Sequence, residues 1–284
     1  MPVYVMVIVL TGSVLHAVWN GLVKGGSDRY LDTLALLGGA AAICLCALPF
    51  LKHISSESWG LLWLSAIIHV VYFTLIALSY QHGEMSVVYP VTRGAAPALT
   101  AIGSLLMHDV VPAGQRLGTG LISAGVVWLA FQHRPGGGLK SVARPLGLAL
   151  LNALMIALYT LVDGRGARLS ASAAAYTCWD FVLTALLFIP IGLLWRGFKP
   201  VGAHIKTHWK RGLLGGAFST AAYTAALWAM TLCSISSVAA LRETSILFGV
   251  LFAAHRLKEP VGIPRWCAAA VVAAGAVCIK LWPH

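Results

Sequence analysis

The sequence predicts an all-α integral membrane protein with ten transmembrane helices, arranged as two inverted five-helix repeats around a central cavity. Three observations carry that prediction. Of 284 residues, 59% are hydrophobic and only 10% charged, with a mean hydropathy of +0.83, far from the composition of a soluble domain. The apolar residues come in continuous blocks near the ~20 residues that cross a bilayer, not in the alternation of a membrane barrel. The two halves of the chain also resemble each other: SVVYPVTRGAAPALTAIGSLLMHD, from Ser86, lies over SSVAALRETSILFGVLFAAHRLKE, from Ser236.

Apolar blocks between polar or Gly/Pro breaks predict helices over 3–23, 31–51, 59–80, 86–107, 113–132, 145–163, 172–195, 210–232, 236–256 and 262–282. The N-terminal block has no basic leader region or small-residue cleavage site and reads as the first span. The clearest connector is HRPGGGLKSVARP, from His133 to Pro145, whose glycines and prolines interrupt a helix. It divides the chain into an N-terminal repeat over 1–134, a linker over 135–144 and a C-terminal repeat over 145–284. Five helices is an odd number, so the second repeat starts from the opposite membrane face and the topology is inverted.

The net charge of +11 and pI near 9.7 do not point to nucleic acid, because the basic residues are scattered through short loops and form no aromatic-interleaved patch. They read as topology signals. On the ten-helix scheme, Lys and Arg concentrate on the face holding the first, third, fifth, seventh and ninth loops. That face is expected in the cytoplasm, with both termini outside. The six cysteines all lie in apolar segments and indicate neither a disulfide framework nor a zinc site. His204 and His208 have the spacing of a helical metal pair but no acidic neighbour in sequence, so HIKTHWKR reads as a snorkelling segment at the lipid headgroups. No metal site and no cofactor are expected.

Charged residues within the spans single out the candidate site. An arginine at the bilayer centre costs at least about 2.5 to 3.5 kcal/mol, so Arg93 needs a partner or a water-filled cavity. Tyr89 is four residues before it on the same helical face, and Pro90 and Pro97 loosen the backbone on both sides. The repeat alignment sets Arg93 opposite Glu243. They either pair and hold the halves together or line a cavity, Arg93 addressing a carboxylate or phosphate and Glu243 an ammonium or a proton. Arg242 is a competing partner for Glu243. Other helices carry polar and aromatic stripes at helical spacing: His16, Trp19 and Asn20; His69 and Tyr72; Asn152, Tyr159 and Asp163; Tyr176, Trp179 and Asp180; Tyr223 and Trp228. Asp163 is expected near a membrane face. The substrate-binding candidates are Arg93, Glu243, Asn20, His16, Trp19, Tyr72, Tyr89, Tyr159, Trp179 and Trp228. Glu243, Asp180 and Asp163 are the proton-coupling candidates. Trp59, Trp63, Trp195, Trp209 and Trp282 fall near helix ends, as interfacial tryptophans do.

The five-helix halves, HAVWN in the first predicted helix, YPVTRG in the fourth, RETS in the ninth, and acidic residues closing the fourth and ninth (Asp109 and Glu259) resemble the EamA-like branch of the drug/metabolite transporter superfamily. Asp109 stands where that pattern usually has Glu. The resemblance implies a basket of helices around a central cavity that opens alternately to each side. The substrate classes it implies range over amino acids, sugars, nucleotide sugars, choline-like cations and drugs.

These features predict a secondary transporter of a small polar or amphipathic metabolite, such as an amino acid or amine, coupled to protons and working in a bacterial inner membrane as a monomer or weak homodimer. No Walker-type phosphate loop is present to couple ATP. No catalytic residues are expected, since neither H-E-x-x-H nor G-x-S-x-G occurs. An intramembrane enzyme and a non-transporting membrane subunit are the alternatives.

Overall fold

A computed structural model describes the backbone of residues 1–24, 28–82, 85–108, 111–131, 139–245, 247–248 and 263–281, and their side chains except those of 24, 76–82, 85–91, 129–131, 139–145 and 265. Among the described residues the chain is helical, with no strand. The elements are α1 (Val3–Lys24), α2 (Arg29–Ala47), a 3-10 turn (Leu48–Phe50), α3 (Ser58–His82), α4 (Met85–Leu106), α5 (Ala113–Phe131), α6 (Leu139–Leu169), α7 (Ala173–Arg196), α8 (Phe198–Leu232), α9 (Ile235–Arg242) and α10 (Ile263–Leu281). Six of these are long and apolar enough to cross a membrane: α1, α2 with its 3-10 turn, α3, α6, α7 and α8.

Helix boundaries follow local chemistry. Asp28 caps α2, its Oδ1 accepting from the Tyr30 and Leu31 amides at 3.1 and 3.2 Å, and Ser172 caps α7 by accepting from the Ala175 amide at 3.2 Å. Gly197, at φ 85°, ends α7 and turns the chain straight into α8. Three boundaries differ from the sequence expectation. α6 begins at Leu139, inside the expected connector, and runs on to Leu169, so Asp163 lies within a helix and not at its end. α8 begins at Phe198, with a kink at His208, whose φ and ψ are −114° and 15°.

The third difference is at the site itself. The sequence predicts one continuous helix over 236–256, but α9 stops at Arg242 and turns at Glu243 and Thr244. The Leu241 carbonyl explains the break. It accepts from the Thr244 amide at 3.1 Å, from Thr244 Oγ1 at 2.7 Å and from Ser13 Oγ of α1 at 3.5 Å, so side-chain hydroxyls replace the helical ladder.

Packing is closest where glycine removes the side chain. α5 lies against α10 through Gly118 and Gly275; a Cβ on Gly118 would stand 2.6 Å from the Gly275 carbonyl oxygen. α2 lies against α8 in the same way, a Cβ on Gly39 meeting the Gly212 carbonyl oxygen at 2.6 Å. Gly21, by contrast, has open space around it. α6 packs on α3 and α4, and α1 packs on α8. Large apolar side chains such as Val7, Ile67, Leu106, Leu194 and Ile263 face outward, as a lipid-facing surface requires. All six cysteines are free.

Candidate functional site

α4 carries Arg93 on its buried side, four residues before Pro97, which has no amide hydrogen to offer the Arg93 carbonyl. The guanidinium is 6% exposed and meets three groups from two other helical segments. Its Nε lies 3.0 Å from Glu243 Oε2, Nη2 lies 3.0 Å from His16 Nε2, and Nη2 donates to Ser245 Oγ at 3.4 Å. Glu243 is 4% exposed and stands at the broken end of α9. Arg93 and Glu243 thus form an ion pair, and both border a small pocket. Arg242 is not the partner; its guanidinium sits over the Tyr223 ring, 5.1 Å from the centroid.

The pocket has a volume of about 10 Å³ and is bounded by Arg93, Pro97, Thr100, Tyr159, Thr160 and Glu243, with Ile156, Ala239 and Arg242 closing the rest. That is room for roughly one water molecule.

The other candidates divide into three groups. His16 touches Arg93 and has Trp19 at its ring edge, with centroids 4.9 Å apart. The Trp19 Nε1–H is buried without a hydrogen-bond acceptor, whereas Asn20 Nδ2 donates to the His16 carbonyl of its own helix at 2.8 Å. Tyr159 lines the pocket. Tyr72, Trp179 and Trp228 do not line it: Tyr72 packs on Tyr159 at 5.6 Å, Trp179 on Trp59 at 5.1 Å, and Trp228 on Tyr4 at 6.2 Å. The side chain of Tyr89 and the whole of Asp109 and Glu259 lie outside the described residues.

Asp163 and Asp180 form a separate buried cluster with His69, which is no acceptor for Arg93. The Asp163 carboxylate accepts from Tyr176 OH at 3.1 Å and from Tyr223 OH. Asp180 Oδ1 lies 3.7 Å from His69 Nδ1, and the His69 ring stacks on Tyr159 at 4.2 Å. Sequence reasoning placed His69 on a stripe with Tyr72 but missed its association with the two carboxylates, because the three residues come from α3, α6 and α7 and no spacing links them. Ser245 was missed too, though it closes the RETS stretch that contains Glu243.

At one end of the bundle, Arg196 bonds Asp28 and His204 Nε2 lies 3.0 Å from Asp32 Oδ1. This corrects the reading of HIKTHWKR: His204 has an acidic companion, supplied by α2, and is docked there, while Lys206, Trp209 and Lys210 stay exposed.

Residues 144–281 match the EamA-like transporter family. No curated protein matches the chain. One solved structure, titled only as the crystal structure of a protein, superposes with a TM-score of 0.76 at 16% identity, covering 99% of this chain and 98% of its own. That similarity concerns the fold alone.

Proposed function

We propose that the chain, which belongs through residues 144–281 to the EamA-like transporter family of the drug/metabolite transporter superfamily, is a proton-coupled secondary transporter for a small zwitterionic metabolite of the amino-acid class. Membership makes it a multi-pass membrane protein of a transporter family whose substrate is unspecified. The observation that carries the finer reading is the buried ion pair between Arg93 and Glu243, at 3.0 Å, in a pocket now large enough for about one water.

A bound zwitterion would offer a carboxylate to Arg93 and an ammonium to Glu243, exchanging one ion pair for two without leaving either buried charge unpaired. The Trp19 Nε1–H, buried and without an acceptor beside His16, is an available hydrogen-bond donor. A pair that separates on binding acts as a gate. Breaks such as the one at Glu243 and Thr244 are where transporters with repeated halves hold their cargo, and Glu243, free of Arg93, is the group that takes the proton. The correspondence of α3 against α6 with α1 against α8 supports the two-repeat arrangement, in which alternating access is a rocking of the halves.

The test is a screen of amino acids, amines and phosphonates for thermal stabilisation of the purified protein, followed by counterflow of the stabilising compound in vesicles containing only this chain. Zwitterionic amino acids are expected to raise the melting temperature and to exchange saturably. Stabilisation by amines alone, or binding with no exchange, would contradict the proposal.

A further inference from the structure

The proposed transport path leaves one buried group of side chains unused. His69 on α3, Asp163 on α6 and Asp180 on α7 bring their ligand atoms within 4.8 Å of one another, and all three are buried. Their charges do not balance. Asp163 is 0% and Asp180 2% exposed, and among the described residues the ion pairs made by these two carboxylates involve His69 alone. The Arg242 guanidinium lies over the Tyr223 ring, 5.1 Å from its centroid, and forms no ion pair with either carboxylate among the described residues. Two carboxylates in a membrane interior demand a positive charge close by.

The hydrogen bonding of the two acids differs. Asp163 is held by two tyrosine hydroxyls, but among the described residues the buried Asp180 Oδ1 has no hydrogen-bond donor and lies 3.7 Å from His69 Nδ1. A carboxylate oxygen so placed is an open ligand position. We propose that His69, Asp163 and Asp180 bind one divalent cation of the first transition series or zinc.

The chemistry of the donors fits that class. Two carboxylates neutralise a divalent ion, and the imidazole selects metals such as Zn²⁺, Co²⁺ or Ni²⁺ over Mg²⁺ and Ca²⁺, which take oxygen ligands. With bonds of about 2.1 Å, tetrahedral ligands stand about 3.4 Å apart. The 3.7 Å between His69 Nδ1 and Asp180 Oδ1 needs little contraction to reach this. Nδ1 lies 3.1 Å from both the Ser65 carbonyl oxygen and Ser65 Oγ, so coordination through it requires the proton to move to Nε2 and the bond that Nδ1–H donates to the carbonyl to be given up. Tyr176 and Tyr223 supply the outer hydrogen bonds that orient a ligating carboxylate.

The site adjoins the pocket without belonging to it. Tyr159 stacks on His69 and lines the pocket, and Arg242 lines the pocket and covers the ring of Tyr223. The metal site is independent of the transport proposal, because its binding is measured without flux.

The experiment titrates Co²⁺ into the full-length protein, purified in detergent and stripped with chelator, following d–d absorption and heat. One Co²⁺ per chain is expected, displaced by Zn²⁺ and accompanied by a rise in melting temperature. His69→Gln and Asp180→Asn should each weaken binding at least about tenfold, while His208→Gln, remote from the cluster, leaves it unchanged. Absence of stoichiometric binding to the unmutated protein would overturn the proposal whether or not the variants fold. Binding that survives in the His69→Gln/Asp180→Asn double variant, or that is lost with His208→Gln, would overturn it as well.

Discussion

Arg93 with Glu243, and Asp163 with Asp180, are two charged regions of one interior that share Tyr159 as a neighbour and balance their charges differently. The first sets one cation against one anion 3.0 Å apart, and the guanidinium also meets His16 and Ser245. The second carries two anions and a histidine, with one carboxylate oxygen left without a hydrogen bond. A complete pair is stable while closed and must be broken for anything to enter. The second cluster is the one proposed to take a cation. The difference suits a gate beside a cation site.

The largest expected effect comes from breaking the complete pair on one side. Arg93→Ala leaves Glu243 buried and alone, which costs about 3 to 5 kcal/mol, whereas Arg93→Met with Glu243→Gln removes both charges and should recover most of that loss. Denaturant unfolding in detergent measures both. If the single and double variants are equally unstable, the pair is not the balanced unit described.

The incomplete cluster should respond more mildly to loss of an outer hydrogen bond. Tyr176→Phe removes the donor that lies 3.1 Å from Asp163 Oδ1, a hydrogen bond to a charged group worth about 1.5 to 3 kcal/mol. Its thermal unfolding should show that loss without altering substrate-induced stabilisation. A change in substrate response would mean that the two regions are not separable.

A packing control touches neither region. Gly39→Ala puts a methyl 2.6 Å from the Gly212 carbonyl oxygen and should destabilise by about 1 to 3 kcal/mol, while Gly21→Ala, with nothing within 4 Å, should not. The smallest effect is expected at Asn20, whose amide bonds only its own helix in the closed structure. Asn20→Ala should change stability by about 0.6 kcal/mol, and a much larger loss would reveal a second partner.

These regions were not equally legible in the sequence. Arg93 was visible because a charge within an apolar block is costly and Pro97 marks its backbone. Glu243 followed from the likeness of the two halves. The break after Arg242 was hidden, since it depends on Ser13 and Thr244 hydroxyls meeting at one carbonyl, and RETS alone reads as helix. His69, Asp163 and Asp180 were each noted on their own stripes. Their meeting depends on how α3, α6 and α7 pack, and hydropathy reports only that each helix has a polar face. Trp179 and Trp228 have the spacing of lining residues, and their contacts with Trp59 and Tyr4 could not be read from that spacing.

The central claim is that Glu243 is both the gate partner of Arg93 and the group that couples cargo to protons. Uptake of a labelled amino acid into vesicles containing the purified chain, with and without an imposed pH gradient, tests it most directly when the wild type and Glu243→Gln are compared. The account predicts gradient-dependent uptake by the wild type and counterflow without gradient dependence in Glu243→Gln. An undiminished response to the gradient in Glu243→Gln would contradict it.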